Sequence, residues 1–127
     1  AKNKTVIILT SNRTRDLSDA LKRRCLYHWV DFPTFDKELA IVEKHVEGEV
    51  EILQHLVRFV EYLRGQHLQK TPGIAETIDW ARALITLNAT TLSPELIEST
   101  LGCVLKSLKD INEIKHSLTS ILEETSA

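Results

Sequence analysis

Residues 51–65, EILQHLVRFVEYLRG, carry the most regular hydrophobic pattern in the chain. Apolar side chains recur there every three or four residues, as on one face of an α-helix: Leu53, Leu56, Val57, Val60 and Leu63. Gly65 follows the last of them, at a position where helices commonly end. The stretch therefore predicts an amphipathic helix that buries one face against neighbouring helices.

Similar patterns lie on both sides of this helix. One helix is predicted to follow Phe35 and to end at Gly48, and another is predicted to start at residues 71–73, TPG, with Trp80 in its core-facing part. Ser93, followed by proline, predicts the start of a fourth helix, whose apolar face would continue to Leu108.

Residues 110–113, DINE, resemble a capping box and predict a fifth helix beginning at Asp110. The fourth and fifth helices are alternatively one bent helix, because no proline follows Pro94. Residues 34–127 are therefore expected to form a bundle of four to five helices.

Residues 1–33 have a different pattern. Residues 5–10, TVIILT, and 26–32, LYHWVDF, are rich in β-branched and aromatic side chains and predict two strands. A short helix over Asp19–Arg24, capped by Ser18, is expected between them. Two strands do not form a stable sheet by themselves, so the rest of the sheet is expected elsewhere. The predicted fold is mainly α: a helical bundle preceded by a two-strand remnant of an α/β core.

Composition excludes several classes of protein. The 127 residues include 43% hydrophobic and 27% charged residues, which is ordinary for one globular domain or a piece of one. No apolar run reaches the roughly 20 residues of a membrane span, and no signal peptide is apparent. The two cysteines are far apart, which favours a reducing, cytoplasmic setting. The histidines show no metal-binding spacing, so no metal site is predicted.

Charge is distributed unevenly along the chain. The first 24 residues hold seven basic and two acidic side chains, whereas the remainder holds nine basic and sixteen acidic ones. This asymmetry indicates a basic start that faces an anion, such as a nucleotide phosphate, nucleic acid or an acidic surface. Nucleic acid is disfavoured because the basic segment lacks interleaved aromatic residues.

Two places, Asn12 and the Arg23–Arg24 pair, have the side chains to contact an anion. Asn12 follows the first predicted strand, where ligands bind in open α/β sheets, although Asn also simply turns a chain. Arg23 and Arg24 close the short helix, where they either complement the helix dipole or reach an anion of a neighbouring subunit. Arg82 shares a helix face with two acidic residues, a spacing typical of surface pairing.

Three stretches together resemble a known family. They are residues 6–13, VIILTSNR, residues 17–25, LSDALKRRC, and residues 72–82, PGIAETIDWAR. Their order and spacing are similar to the C-terminal part of MoxR-type AAA+ ATPases, and the branch near carbon monoxide dehydrogenase genes is the most similar. The resemblance covers essentially the whole chain.

The resemblance implies a role for each candidate. Residues 1–33 would be the edge of the AAA+ core, with Asn12 as the sensor-1 residue that positions the attacking water. Arg24, together with Arg23, would be the arginine finger that reaches the ATP of the neighbouring subunit. Residues 34–127 would be the helical lid.

The implied whole protein uses ATP and magnesium to remodel or mature a partner protein, for example during metal-cofactor insertion. It assembles into a ring and works with a von Willebrand factor A-domain protein, without nucleic acid or membrane.

Two departures from the family pattern qualify these roles. The Walker A and Walker B motifs are absent and would precede residue 1, so the 127 residues alone are expected neither to bind nor to hydrolyse ATP. Many relatives also carry a sensor-2 arginine at the start of the third lid helix, where this chain has GIAE at residues 73–76. Arg82, about two turns further on, is the available substitute for contacting the nucleotide.

Two other functions stay open. One is a freestanding helical module that binds a protein, for which residues 1–33 would be an arm and not part of a sheet. The other is a nucleic-acid binder with a basic arm, whose affinity would fall steeply with salt.

Overall fold

The computed structural model describes residues 3–11 and 18–125. It divides the chain into two units, with the boundary between Asp31 and Phe32. The predicted site residue Asn12 lies outside the described residues, so its structural surroundings stay a prediction.

The first unit contains one described helix, α1, Asp19–Arg24. Its start matches the predicted cap, because the hydroxyl of Ser18 accepts a hydrogen bond from the Leu21 amide at 3.2 Å. The prediction of this short helix is confirmed. Its last turn carries Lys22, Arg23 and Arg24, where the negative end of the helix dipole favours cations.

The prediction of two strands is wrong for the described residues. Neither residues 5–10 nor residues 26–32 form a strand. Their apolar side chains are exposed instead, with Val6 at 82% and Ile8 at 81% of full exposure. A strand needs a partner to accept and donate its ladder hydrogen bonds, and two short segments do not supply a sheet. Both segments therefore have the β-branched and aromatic composition of strands but do not pair as strands.

The second unit is built from five α-helices in its described part. They are α2, Phe35–His45; α3, Val50–Arg64; α4, Ile74–Thr86; α5, Pro94–Thr100; and α6, Leu108–Thr125. A single 3₁₀ turn, Leu101–Cys103, follows α5. The prediction of a mainly helical bundle of four to five helices is confirmed.

Helix α3, the stretch with the strongest predicted pattern, lies at the centre of the bundle and packs against α2, α4 and α6. Seven of its fifteen residues are buried, among them Leu56, Val57 and Leu63 at 0% exposure. Trp80 of α4 is fully buried as predicted, and its ring meets that of Phe59 edge-on at 5.4 Å. The indole N–H of Trp80 donates to the Thr100 hydroxyl at 2.8 Å, so its polar group is satisfied inside the core.

Two predicted helix boundaries are corrected. The fourth helix does not run to Leu108: α5 ends at Thr100, and Leu108 is 74% exposed. Gly102, in the turn that follows, is a poor helix residue. The last helix begins at Leu108 and not at Asp110, so α5 and α6 are separate helices.

Candidate functional site

The candidate arginine finger lies in the last turn of α1. Arg23 and Arg24 are both exposed, and α1 has no buried residue. An exposed guanidinium at a helix end keeps its five N–H donors available to a phosphate group, which it can bind through two parallel hydrogen bonds. The geometry of the first unit is thus compatible with presentation of these side chains to an anion outside the unit.

Arg82 belongs to the second unit, on the outer face of α4. Its side chain is 57% exposed and lies 4.0 Å from the carboxylate of Asp79, which is 64% exposed. Such an exposed pair contributes little to stability, because solvent screens it. Glu76, the third charged residue of that predicted face, instead accepts the Gly73 amide at 2.9 Å and caps the helix.

Pattern analysis missed a polar cluster buried inside the second unit. Arg64 of α3 forms two hydrogen bonds with the carboxylate of Glu38 in α2, at 2.6 and 2.7 Å. The Thr77 hydroxyl in α4 donates to the same carboxylate at 2.9 Å. The Arg64 Nε donates to the carbonyl of Pro72 at 2.8 Å. This Glu38–Arg64–Thr77 cluster therefore connects α2, α3 and α4 with the turn before α4.

A sequence signal for this cluster exists. Glu38 lies four residues before the buried Val42, and Arg64 lies four residues after the buried Val60. A charged residue in register with an apolar helix face is placed toward the core, where it needs a partner of opposite charge. The pairing itself joins residues 26 positions apart and is not visible in local periodicity.

Asp110 forms a second buried polar contact. It is 1% exposed, and its two carboxylate oxygens accept the amides of Gln69 and Lys70 at 2.9 and 3.1 Å. The side chain was predicted to cap its own helix. It instead holds the connection between α3 and α4 against the start of α6, so this interpretation of the DINE motif is corrected.

One shallow, open pocket of about 250 Å³ lies in the second unit, and its lining includes His55, Pro94 and Glu123. The His55 Nε2 is 3.3 Å from the Thr125 hydroxyl. Partial burial, and then the nearby charge of Arg58, lower the pKa of His55 below its ordinary value of 6.5. Thr119 also lines the pocket, together with two leucines, Leu92 and Leu122.

The described ranges contain neither a metal-binding cluster nor a membrane-spanning helix. No group of three or more His, Cys, Asp or Glu residues among residues 3–11 and 18–125 is placed to hold a metal ion. In the same part of the chain, no helix is long and apolar enough to cross a membrane. No buried side-chain nitrogen or oxygen there lacks a hydrogen-bond partner.

Comparisons with known proteins favour none of the candidate functions. No family model, no curated protein and no solved structure matches the chain.

Proposed function

We propose that this chain is the C-terminal part of a MoxR-like AAA+ ATPase that couples ATP hydrolysis to the remodelling or maturation of a partner protein. In this proposal residues 1–33 complete an α/β core and residues 34–127 form its helical lid. The three motifs at residues 6–13, 17–25 and 72–82 are the basis of the assignment.

The observation that carries the proposal is the exposure of the apolar run that precedes Asn12 in the sequence. Val6, Ile7, Ile8 and Leu9 are 64–82% exposed. Burying one such side chain is worth about 1.5–3 kcal/mol, so exposing four in succession forgoes about 6 kcal/mol or more. Covering this run with other parts of a larger protein would recover that free energy, which supports the proposal that residues 1–33 are one part of a larger core.

ATP and magnesium do not fit the residues of this chain alone. The 127 residues contain no glycine-rich phosphate loop, so the groups that hold the nucleotide would be supplied by other parts of the protein. This chain would supply two groups to the ATP site. Asn12 would orient a water molecule, and Arg24, beside Arg23, would present a planar cation to phosphate oxygens of a neighbouring subunit.

Arg82 stays a secondary candidate for nucleotide contact. Its exposed position leaves the guanidinium accessible, and its 4.0 Å separation from Asp79 is a weak competing interaction. Self-assembly into a ring belongs to the same proposal, since the arginine finger requires an adjacent subunit. A von Willebrand factor A-domain partner is proposed from the resemblance alone.

The experiment is ATP turnover by the intact protein that contains these residues. The coding sequence upstream of Ala1 is expected to include a GxxxxGK[ST] motif. Arg24→Ala is expected to abolish turnover and to leave ATP binding intact, because the finger acts on charge that develops during phosphoryl transfer. Lys22→Ala removes a cation from the same exposed turn and is the matched control, with turnover retained.

Unchanged turnover in Arg24→Ala would refute the finger assignment. ATP hydrolysis by the purified 127-residue chain would refute the proposal that other parts of the protein hold the nucleotide.

A second candidate function, a freestanding helical module that binds a protein, is favoured by one observation. Residues 3–11 and 18–31 form no strand, as expected of an arm that belongs to no sheet. The absence of a phosphate-loop motif upstream, together with an intact protein that does not hydrolyse ATP, would select this function over the first.

A further inference from the structure

The pocket of about 250 Å³ lies where three helices of the second unit meet. His55 comes from α3, whereas Leu92 and Pro94 come from the start of α5. The last two turns of α6 complete the lining with Thr119, Leu122 and Glu123. The lining therefore combines apolar side chains with one carboxylate.

The size of the pocket suits a single side chain of another protein. Most small-molecule sites have volumes of about 300–1,000 Å³ and enclose their ligand, whereas this pocket is smaller and open. Its apolar part is continuous with the core, because Leu92 is 6% exposed and Leu122 packs against the buried residues. An incoming side chain would therefore meet a surface that the fold already holds in place.

The end of α6 beside the pocket carries negative charge. Its last turn contains Glu123 and Glu124, both exposed, and no basic residue. The carbonyl groups at the C-terminal end of a helix form the negative end of its dipole, which favours cations and disfavours carboxylates. A positively charged partner group would therefore be favoured at this end of α6.

The cationic groups near the pocket leave that preference in place. Partial burial, and then the charge of Arg58, lower the pKa of His55 below 6.5, so the imidazole is mostly neutral at pH 7. Arg58 itself contacts α2, where its guanidinium carbon lies 5.4 Å from the ring centroid of Phe35.

We propose that this pocket binds an arginine side chain of a partner protein. The aliphatic stem of the arginine would lie against Leu92, Pro94 and Leu122, and its guanidinium would reach the carboxylate of Glu123. Arginine fits better than lysine, because its planar group can form two parallel hydrogen bonds with a carboxylate and can stack on a flat ring such as that of His55. This binding goes beyond the proposed ATPase function and does not depend on it.

The test is an NMR titration of the 127-residue chain with N-acetyl-arginine amide. Saturable shifts of the Thr119, Leu122 and Glu123 amides are expected at millimolar concentrations of this probe. N-acetyl-citrulline amide has a similar stem with a neutral urea group, and it is expected to bind at least about threefold more weakly. N-acetyl-lysine amide is also expected to bind more weakly than the arginine probe. Equal affinity for the arginine and citrulline probes, tighter binding of the lysine probe, or shifts centred elsewhere would overturn the proposal.

Two variants of α6 test the role of the carboxylate. Glu123→Gln removes the charge with little change in shape and is expected to weaken binding of the arginine probe about two- to fivefold. Glu113→Gln is the matched control, because it removes the same charge from an exposed position about 15 Å away along the helix. Its affinity is expected to equal that of the unmodified chain.

Equal weakening by both variants, or unchanged binding in Glu123→Gln, would overturn the assignment. No nucleotide takes part in the titration, so its result stands apart from that of the ATPase experiment. An intact protein without ATP turnover would refute the proposed function and leave the arginine pocket to be decided by these measurements.

Discussion

Replacement of Glu38 by alanine is expected to destabilise the helical bundle strongly. Glu38 is 1% exposed and accepts three hydrogen bonds, two from Arg64 at 2.6 and 2.7 Å and one from Thr77 at 2.9 Å. In Glu38→Ala the Arg64 side chain, 8% exposed, would keep its charge and lose both charge-assisted bonds. Removing one partner of a buried ion pair costs about 3–5 kcal/mol, because the other charge is left uncompensated.

The assay is urea denaturation of the 127-residue chain, followed by circular dichroism. For a unit of this size, a loss of 1 kcal/mol lowers the Tm by about 4–8 °C. The expected loss of about 3–5 kcal/mol would therefore lower the Tm by at least about 12 °C. Glu38→Gln keeps an acceptor oxygen and is the variant to measure if Glu38→Ala does not fold. A loss below about 1 kcal/mol in Glu38→Ala would refute the reasoning, since that is the range of an exposed pair.

The matched control is an exposed ion pair, that between Asp79 and Arg82. Their atoms are 4.0 Å apart, and both side chains are more than half exposed. Asp79→Ala is therefore expected to change the free energy of unfolding by less than about 0.5 kcal/mol. Equal effects of Asp79→Ala and Glu38→Ala on the free energy of unfolding would contradict the claim that burial makes the loss of Glu38 more destabilising.

Two further predictions concern the second unit. Asp110→Ala is expected to lower the free energy of unfolding by about 1–3 kcal/mol, because two amides in the connection after α3 lose their buried acceptor. Urea denaturation measures this loss. A loss of less than about 0.5 kcal/mol, the range of an ordinary surface change, would contradict the prediction. Burial and the charge of Arg58 lower the pKa of His55 in the folded state, so the unfolded chain binds more protons, and stability should fall as pH drops below about 6.5. His55→Gln should remove that part of the slope in denaturation curves measured between pH 7.5 and 5, and an unaltered slope would contradict the assignment.

Local signals in the sequence predict much of the bundle. Ser18 and Ser93 cap α1 and α5 as their positions indicate, and the apolar spacing of residues 51–65 places α3 in the core. The two caps depend on contacts within a few residues along the chain, whereas the apolar spacing indicates which face of α3 is buried against its neighbours. Short stretches of sequence are therefore enough to predict them.

The errors arise where distant residues decide the outcome. Residues 5–10 have the composition of a strand, but a strand forms only with a partner. Asp110 has the spacing of a helix cap, yet its carboxylate is taken by amides about 40 residues earlier in the chain. The group that is buried is the Asp110 carboxylate, which therefore needs hydrogen-bond donors and finds them in a distant segment.

The candidate site is less determined than the fold. The sequence indicates Arg23 and Arg24 through their position in the last turn of a short helix, and the structure places both on an exposed surface. Their proposed role needs a second subunit, whose contacts do not follow from one chain. Arg64, by contrast, was not predicted, because its importance depends on the simultaneous approach of α2 and α4.

The most direct test of the proposed function mixes two inactive variants of the intact protein. In the proposal Asn12 serves the ATP site of its own subunit, whereas Arg24 serves that of its neighbour. Asn12→Ala and Arg24→Ala are each expected to lack turnover alone, and co-assembly should restore activity at interfaces where an intact Asn12 meets an intact Arg24. A mixture that stays inactive after co-assembly is verified, or either variant with full turnover alone, would contradict the account.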